Sequence, residues 1–202
     1  AGGNFEEPVT QSTLSAVKCF LGLSAARAYK RFYPAIDPLI SWSRYREQLA
    51  PWFEAEMGAG WRGRVDAMEA LLRRGDEVGQ MMQVTGEDGV TIADFTAHQA
   101  ALFLDMVYLQ QDAFDAVDAA VPLARQKARF DLVHRIATRP YAFETTAAAR
   151  AHFTRLTGLF KNLNYAQPGG PDEARLLSEI ETADAAVPVM KSALHADDAA
   201  TS

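Results

Sequence analysis

Apolar residues recur at intervals of three and four positions through most of the chain after residue 60, which is the spacing of an amphipathic α-helix. One such series runs from Val65 to Met82 and contains Gly75 and Gly79, which are weak points for a helix. Later series predict four further helices: one that begins after Thr91, and three over about 123–138, 147–163 and 172–186. The pattern therefore predicts a mainly α protein.

Turn residues and helix caps separate these series. The segment 85–89 contains two glycines and predicts a turn. Thr91 follows as a predicted N-cap, with Asp94 in the position that a capping box gives to Glu. Pro140 ends one helix, and the segment 169–171 separates the last two. Short connections of this kind are typical of an antiparallel helical bundle.

The first 40 residues have a different pattern. Residues 1–13 contain glycine, asparagine and proline and predict a loop, and the apolar run 14–23 predicts a short buried strand. Ser24 predicts the cap of a short helix over 25–32. Two prolines in the segment 33–38 favour extended geometry for the residues before them, so this segment predicts a stiff loop rather than a helix.

These patterns divide the chain into three parts. Residues 1–40 are expected to end an α/β domain, residues 41–190 to form the helical domain, and the Ala- and Asp-rich residues 191–202 to form a disordered tail. The fold class is accordingly mainly α, an antiparallel bundle preceded by a short α/β remnant. The first residue is Ala1 rather than methionine, and we expect the sequence to be a piece of a longer protein.

Composition argues against several classes of protein. Hydrophobic residues make up 49% and charged residues 23%, as in ordinary globular proteins. No run approaches the ~18 apolar residues of a transmembrane helix, and the N-terminus does not resemble a signal peptide. We therefore expect a cytoplasmic protein without direct membrane insertion. The net charge of −6 argues against nucleic-acid binding, which needs a basic face.

Charges of opposite sign occupy different parts of the sequence. The segment from Gly75 to Asp118 contains acidic residues but neither lysine nor arginine, whereas the segment from Arg125 to Lys161 is mostly basic. Two interpretations remain open: the two surfaces neutralise each other within the fold, or one of them faces a charged partner.

A search for chemical motifs identifies no active site, and no catalytic residue is predicted. The 202 residues contain no Gly-x-x-x-x-Gly-Lys-Ser/Thr phosphate loop and no Ser–His–Asp signature. Asp131 and His134 have the spacing used by di-iron bundles, but the second pair that such sites require is missing, so no metal site is predicted. The single Cys19 precludes an internal disulfide, and its apolar neighbours predict a small core residue.

Three aromatic residues are the remaining candidates. Tyr33 lies in the proline-containing segment, and Tyr108 and Phe114 flank a short polar stretch after the helix that begins at Thr91. Rings held by rigid loops stack on nucleobases. The alternative is that all three are ordinary core residues.

Four segments resemble the catalytic A (alpha) subunit of V-type and A-type rotary ATP synthases. The segment Gly2–Gln11 resembles the family's Gly-Gly-Asp-Phe-x-Glu-Pro-Val-Thr, and Phe32–Asp37 resembles Phe-Pro-Ala-Ile-Asn. Ser41–Tyr45 resembles Ser-Tyr-Ser-x-Tyr, and Tyr108–Asp118 resembles Phe-Leu-Gln-Gln-Asn-Ala-Phe-Asp-x-Val-Asp. The segments occur in the family's order, and the resemblance extends from the first residue to about Leu163.

The resemblance implies a fragment from the C-terminal part of a subunit that couples ATP synthesis or hydrolysis to ion transport. It implies that residues 1–40 end the nucleotide-binding domain of that subunit, with the proline-containing segment 33–38 as the hinge to the helical domain. It implies that Tyr33, Tyr108 and Phe114 cover the adenine of ATP or ADP, which binds with Mg²⁺ in the full-length subunit. The family's phosphate loop and catalytic glutamate would precede Ala1, so we expect the chain alone to be inactive and to bind nucleotide weakly at best, with no cofactor of its own.

Three departures from the family pattern concern this same region. Tyr33 replaces the usual phenylalanine, which keeps the stacking face and adds a hydroxyl. Asp37 and Pro38 are more similar to the F-type beta subunit, and Asp112 replaces asparagine and adds negative charge.

The resemblance also implies a mechanical role and two protein partners. The turn 86–91 would be the helix–turn–helix that contacts the central rotor stalk, with Glu87, Asp88 and Asp94 as candidate contact residues. The non-catalytic B subunit would be the neighbour in the ring, and the chain would be peripheral to the membrane through the assembled complex. A solvated turn is the alternative for these acidic residues, and an independent helical protein-interaction module without a nucleotide role is the alternative for the whole chain.

Overall fold

The computed structural model describes residues 6–190, and the predicted tail 191–202 lies outside the described residues. This part of the chain contains two short strands, a single 3₁₀ turn at Glu87–Gly89 and a π-helical segment at Asp105–Leu109. The strands are β1 (Cys19–Phe20) and β2 (Trp42–Ser43), and the helices are α1 (Pro8–Ala16), α2 (Ala25–Tyr29), α3 (Arg46–Met57), α4 (Trp61–Thr85), α5 (Ile92–Leu104), α6 (Leu123–Ala137), α7 (Thr146–Tyr165) and α8 (Pro171–Ala185). The prediction of a mainly α fold is confirmed.

Helices α4 and α5 form an antiparallel hairpin around the turn 86–91. Thr91 caps α5 as predicted, since its hydroxyl accepts a hydrogen bond from the Asp94 amide at 3.1 Å. Gly75 and Gly79 do not interrupt α4 but face α5 at close range. A Cβ on Gly75 would lie 2.2 Å from the Cβ of Ala101, so only glycine permits this approach.

The hydrophobic core lies between α5, α6, α7 and α8. Phe103 of α5 meets the ring of Phe160 edge to face, with ring centroids 5.1 Å apart. Leu156, Leu163 and Ile180 are completely buried around them. The inward positions that the helical period predicts for α6 and α7 are therefore the positions that form the core.

A buried carboxylate joins α8 to α6 and the segment after it. Asp184 is 1% exposed and accepts a hydrogen bond from the Tyr141 hydroxyl at 2.5 Å. Arg135 and Arg139 each place a guanidinium nitrogen 2.8 Å from the same carboxylate. Two cations and a hydroxyl thus compensate for removing this charge from water.

The first residues differ from the prediction in two ways. Residues from Pro8 to Ala16 form a helix rather than a loop, because proline at the first helical position has its φ preset. The prediction of a buried strand over 14–23 was wrong: only Cys19–Phe20 forms a strand, antiparallel to Trp42–Ser43, and Leu23 adds a single antiparallel bridge to Ile36. Leu21 is 60% exposed, Leu23 is 77% exposed and Cys19 is exposed, so the run is not a buried strand and Cys19 is not a core residue.

Helix α2 and the segment after it pack against the end of α5. Ser24 caps α2, as its hydroxyl accepts a hydrogen bond from the Arg27 amide at 3.3 Å. The Arg27 guanidinium donates two hydrogen bonds to Asp105, at 2.8 and 2.5 Å, in a largely buried fork. This pair fixes the orientation of the N-terminal segment on the bundle. Among residues 6–190, no helix combines the length and hydropathy needed to cross a lipid bilayer.

Candidate functional site

Tyr33 is held by the backbone of its loop and not by packing of its ring. Its carbonyl accepts a hydrogen bond from the Gln111 amide at 2.9 Å, and the peptide bond to Pro34 is cis. The side chain itself is 54% exposed. Arg31, two residues earlier, has a φ of 60° in the left-handed region, which turns the chain sharply at the end of α2. The Tyr33 ring is therefore presented from a constrained loop.

Phe114 lies in a loop that is fixed by its own carboxylates. Its amide donates to the Asp112 carboxylate at 2.9 Å, and the Asp115 carboxylate accepts hydrogen bonds from the amides of Val117 and Asp118. These are Asx turns, which hold backbone geometry without a helix or strand. The Phe114 side chain is 98% exposed. A large apolar ring is thus displayed to the surroundings on an ordered backbone.

The rings of Tyr33 and Phe114 line one cavity of about 430 Å³. Tyr165, the last residue of α7, lines the same cavity as a third ring, and its hydroxyl lies 3.5 Å from the Asp112 carboxylate. The sequence analysis missed Tyr165, because its place follows from the docking of α7 against a loop some 50 residues earlier. Arg31 and Lys161 supply positive charge to the same lining.

Tyr108 occupies the adjoining cavity, of about 200 Å³. Its ring packs on Phe130 with centroids 5.6 Å apart, at the edge of the core. Burial, with a smaller effect of the Asp131 carboxylate, raises the pKa of the Tyr108 hydroxyl to about 12. The structure therefore brings two of the three predicted aromatics together and places the third next to them, behind the shared wall of Gln110, Gln111, Asp118 and Asn164.

A π-helical segment delivers Tyr108 and the loop that follows it. Helix α5 widens at Asp105. The Asp105 carbonyl accepts a hydrogen bond, 3.0 Å long, from the amide of Gln110, which is five residues later in the sequence. Such widened turns are frequent at functional sites. The sequence carries no clear signal for this feature. The π-helical segment directs Gln110 and Gln111 toward the Tyr33 loop.

The wall between the two cavities contains a buried acid. Asp118 is buried, and desolvation raises the pKa of its carboxyl group, although the hydrogen bond from the Asp112 amide opposes this. That hydrogen bond is 2.7 Å long. The cavity of Tyr33 and Phe114 thus combines exposed aromatic faces with acidic and basic groups at its rim, which suits a flat, polar-edged ligand.

The predicted rotor-contact residues surround the turn between α4 and α5. Glu87 forms an ion pair with Arg150, and Asp94 accepts from Arg74 at 2.5 Å, so two of the three charges are balanced within the fold. Asp88 is exposed. Val84, at the end of α4, is 87% exposed beside them. The tip of the hairpin therefore presents an apolar surface with one exposed carboxylate.

The pair with di-iron spacing has other contacts. The carboxylate of Asp131 forms an ion pair with Arg64, and desolvation lowers the pKa of His134. Within residues 6–190 there is no group of three or more histidine, cysteine or carboxylate side chains with the arrangement of a metal site.

Comparison with known proteins relates the chain to one family. Residues 50–139 match the family described as the C-terminal domain of V and A type ATP synthase. The chain is 47% identical over 164 residues to the V-type ATP synthase alpha chain of Chlamydia pneumoniae, which covers 81% of this chain and 28% of that protein. It is 42% identical over 182 residues to the V-type ATP synthase alpha chain of Protochlamydia amoebophila, covering 90% of this chain and 30% of that protein.

A solved structure has the same fold over most of the chain. It is described as a unique ATP synthase subunit, NeqB, from Nanoarcheaum equitans, and it aligns with a TM-score of 0.55 and 19% sequence identity. The alignment covers 69% of this chain and 33% of that one. The chain thus spans about a third or less of the length of the relatives it matches.

Proposed function

Because the chain belongs to the family of V-type and A-type ATP synthase alpha chains, through the part that contains their C-terminal domain, we propose that it works within a rotary motor that couples ATP synthesis or hydrolysis to ion transport. In this role the chain supplies the adenine side of the nucleotide site and the lever that meets the rotor. Its partners are the non-catalytic B subunit and the central stalk, and it is cytoplasmic and peripheral to the membrane. The similarity to named ATP synthase chains favours this function over an independent interaction module.

The cavity of Tyr33 and Phe114 supports the adenine role. Both rings are exposed on constrained loops, and base stacking on an aromatic ring contributes ~1–3 kcal/mol. Tyr108 lies behind the shared wall and backs the site from the core side. The ligand is ATP or ADP with Mg²⁺ in the full-length subunit. The chain contains no phosphate loop, so we expect it to be inactive in hydrolysis on its own.

Removal of either ring tests this role in the assembled enzyme that contains the chain. Tyr33→Ala and Phe114→Ala are each expected to raise the KM for ATP by roughly 5- to 100-fold, the equivalent of one lost stacking contact. Tyr29→Ala is the matched control, because Tyr29 is 88% exposed and lies outside the cavity. A KM that stays at the wild-type value in both cavity variants would refute the adenine role.

The lever role is supported by the α4–α5 hairpin and its tip. Residues 1–40 would end the nucleotide-binding domain, with the segment 33–38 as the hinge to the helical domain 41–190. Close packing at Gly75 makes the hairpin stiff enough to transmit force. Glu87 and Asp94 are already paired within the fold, so the contact with the rotor rests on Asp88 and the apolar Val84 as well as on these acids.

A charge placed at the tip tests the lever. Val84→Asp is expected to slow ATP-driven rotation severalfold, because it puts a carboxylate into an apolar contact, while the KM for ATP stays unchanged. Ala174→Asp, on the first turn of α8 and away from this tip, is the control. Equal rotation rates in wild-type and Val84→Asp enzyme would argue against contact at this tip.

A further inference from the structure

Gln111 forms hydrogen bonds in two directions. Its backbone amide donates to the Tyr33 carbonyl at 2.9 Å, and its side-chain amide donates to the Asp118 carbonyl at 2.5 Å. Tyr33 is 78 positions away in the sequence, whereas Asp118 closes the loop that carries Phe114. A single residue therefore joins the two segments that present the exposed rings.

The loop on the far side of Gln111 is held by a chain of hydrogen bonds. The Asp118 carboxylate accepts from the Asp112 amide at 2.7 Å, and the Asp112 carboxylate accepts from the Phe114 amide at 2.9 Å. The position of the Phe114 backbone is thus tied to Asp118, and Asp118 is tied to Gln111. Because the Phe114 side chain is 98% exposed, the backbone is the part of this residue that the fold holds, and it sets the point from which the ring projects.

We propose that Gln111 is a positioning residue of the adenine site, which sets the separation of the Tyr33 and Phe114 rings by joining their two loops. The proposal rests on the proposed function, since it names the residue that prepares the two faces for a base. Ordering the rings before the ligand arrives reduces the entropy lost on binding. Gln111 does not touch the base in this account.

Only a side chain that donates a hydrogen bond can make the contact between position 111 and the Asp118 carbonyl. The Asp118 carbonyl is an acceptor, so an isosteric glutamate in place of Gln111 has no proton to offer it and adds charge beside Asp112 and Asp118. Methionine has nearly the same length but no donor. Gln80 provides the control, because it is exposed on α4 and lines neither cavity, while its side chain donates a hydrogen bond to Asp76 at 2.8 Å.

The experiment uses NMR spectra of the whole 202-residue chain, titrated with ADP at millimolar concentrations. Gln111→Met and Gln111→Glu are expected to weaken ADP binding about fivefold, the effect of one neutral hydrogen bond. Gln80→Met should change binding less than about twofold. Without nucleotide, Gln111→Met should shift the Tyr33 and Phe114 resonances together.

A double variant separates positioning from general destabilisation. If the Gln111 side chain acts through the Phe114 loop, Phe114→Ala combined with Gln111→Met binds ADP no more weakly than Phe114→Ala alone, because interacting residues are not additive. The positioning role would be overturned if the two substitutions each weakened ADP binding by their full separate factors in the double variant. It would also be overturned if Gln111→Met left both ring resonances unmoved in the ligand-free spectra. The ligand-free spectra decide whether Gln111 links the loops whether or not ADP binds to the isolated chain. The adenine site is tested separately by the KM for ATP of Tyr33→Ala and Phe114→Ala in the assembled enzyme, and a wild-type KM in both would refute it.

Discussion

Replacing Gly75 with alanine perturbs the hairpin at its closest point. The added Cβ would lie 2.2 Å from the Cβ of Ala101, whereas carbon atoms in ordinary contact are about 3.5–4.0 Å apart. The two helices would have to separate locally by roughly 1.5 Å. The same movement would stretch the 2.7 Å hydrogen bond between the His98 ring and the Gly75 carbonyl.

Three effects decide the magnitude for Gly75→Ala. Overpacking costs about 1–3 kcal/mol, and weakening the His98 hydrogen bond costs about 1 kcal/mol. The higher helix propensity of alanine offsets about 1 kcal/mol of this. The free energy of unfolding should therefore fall by about 1–3 kcal/mol.

Urea unfolding followed by circular dichroism measures this change, with Gly158→Ala as the control. Gly158 lies within α7, where an added Cβ would meet no neighbouring group within 4 Å, so alanine should raise the free energy of unfolding by about 0.5–1 kcal/mol. The two substitutions are chemically identical, but they should change the free energy of unfolding in opposite directions. A stabilising effect of Gly75→Ala would refute the close-packed hairpin.

Other substitutions test single features by equilibrium unfolding. Tyr141→Phe should lower the free energy of unfolding by about 1.5–3 kcal/mol, since it removes a hydrogen bond to the buried Asp184 carboxylate. Desolvation lowers the pKa of His152 in the folded chain, so the unfolded chain binds the proton more tightly. Stability is therefore lost as the pH falls below 6.5, and His152→Phe should remove part of this loss. Desolvation raises the pKa of Asp118, so stability is lost as the pH rises from 3.8 through its folded value. Asp118→Asn keeps an acceptor for the Asp112 amide and should be more stable than wild type at pH 7; a less stable variant would contradict this sign.

The helical half of the fold was predictable from the sequence because its signals are local. The period of apolar residues located α6, α7 and α8 to within about two residues, and the side chain of Thr91 marked the start of α5. Helix α3 was not predicted, since Pro51 within it removes a backbone donor and is normally a helix breaker. The close packing at Gly75 was not predicted either. A glycine within a helical pattern indicates a less stable helix, unless the residue that packs against it from the neighbouring helix is known.

The strand prediction failed for a different physical reason. The run 14–23 is apolar, and apolar runs are normally buried, but within the described residues Leu21 and Leu23 have no layer packed over them. A short apolar pattern indicates that a segment can pack against other apolar groups, but it does not show whether the folded chain provides them.

The candidate site was predictable in its residue types but not in its geometry. Tyr33 and Phe114 were identified from a proline-containing loop and a family resemblance, while Tyr165 and Gln111 were not. Both of these act through contacts between distant segments: α7 with the Asp112 loop, and that loop with the Tyr33 backbone. Contacts of this kind leave no periodic pattern in a single sequence.

Photolabelling of the assembled enzyme with an azidoadenine analogue of ADP and Mg²⁺ tests the adenine site most directly. Tyr33 lies in the tryptic peptide 32–44 and Phe114 in the peptide 75–125. The account predicts that both peptides are labelled, at or beside these two rings, and that excess ADP prevents the labelling. ADP-protected labelling that spares both peptides would contradict it.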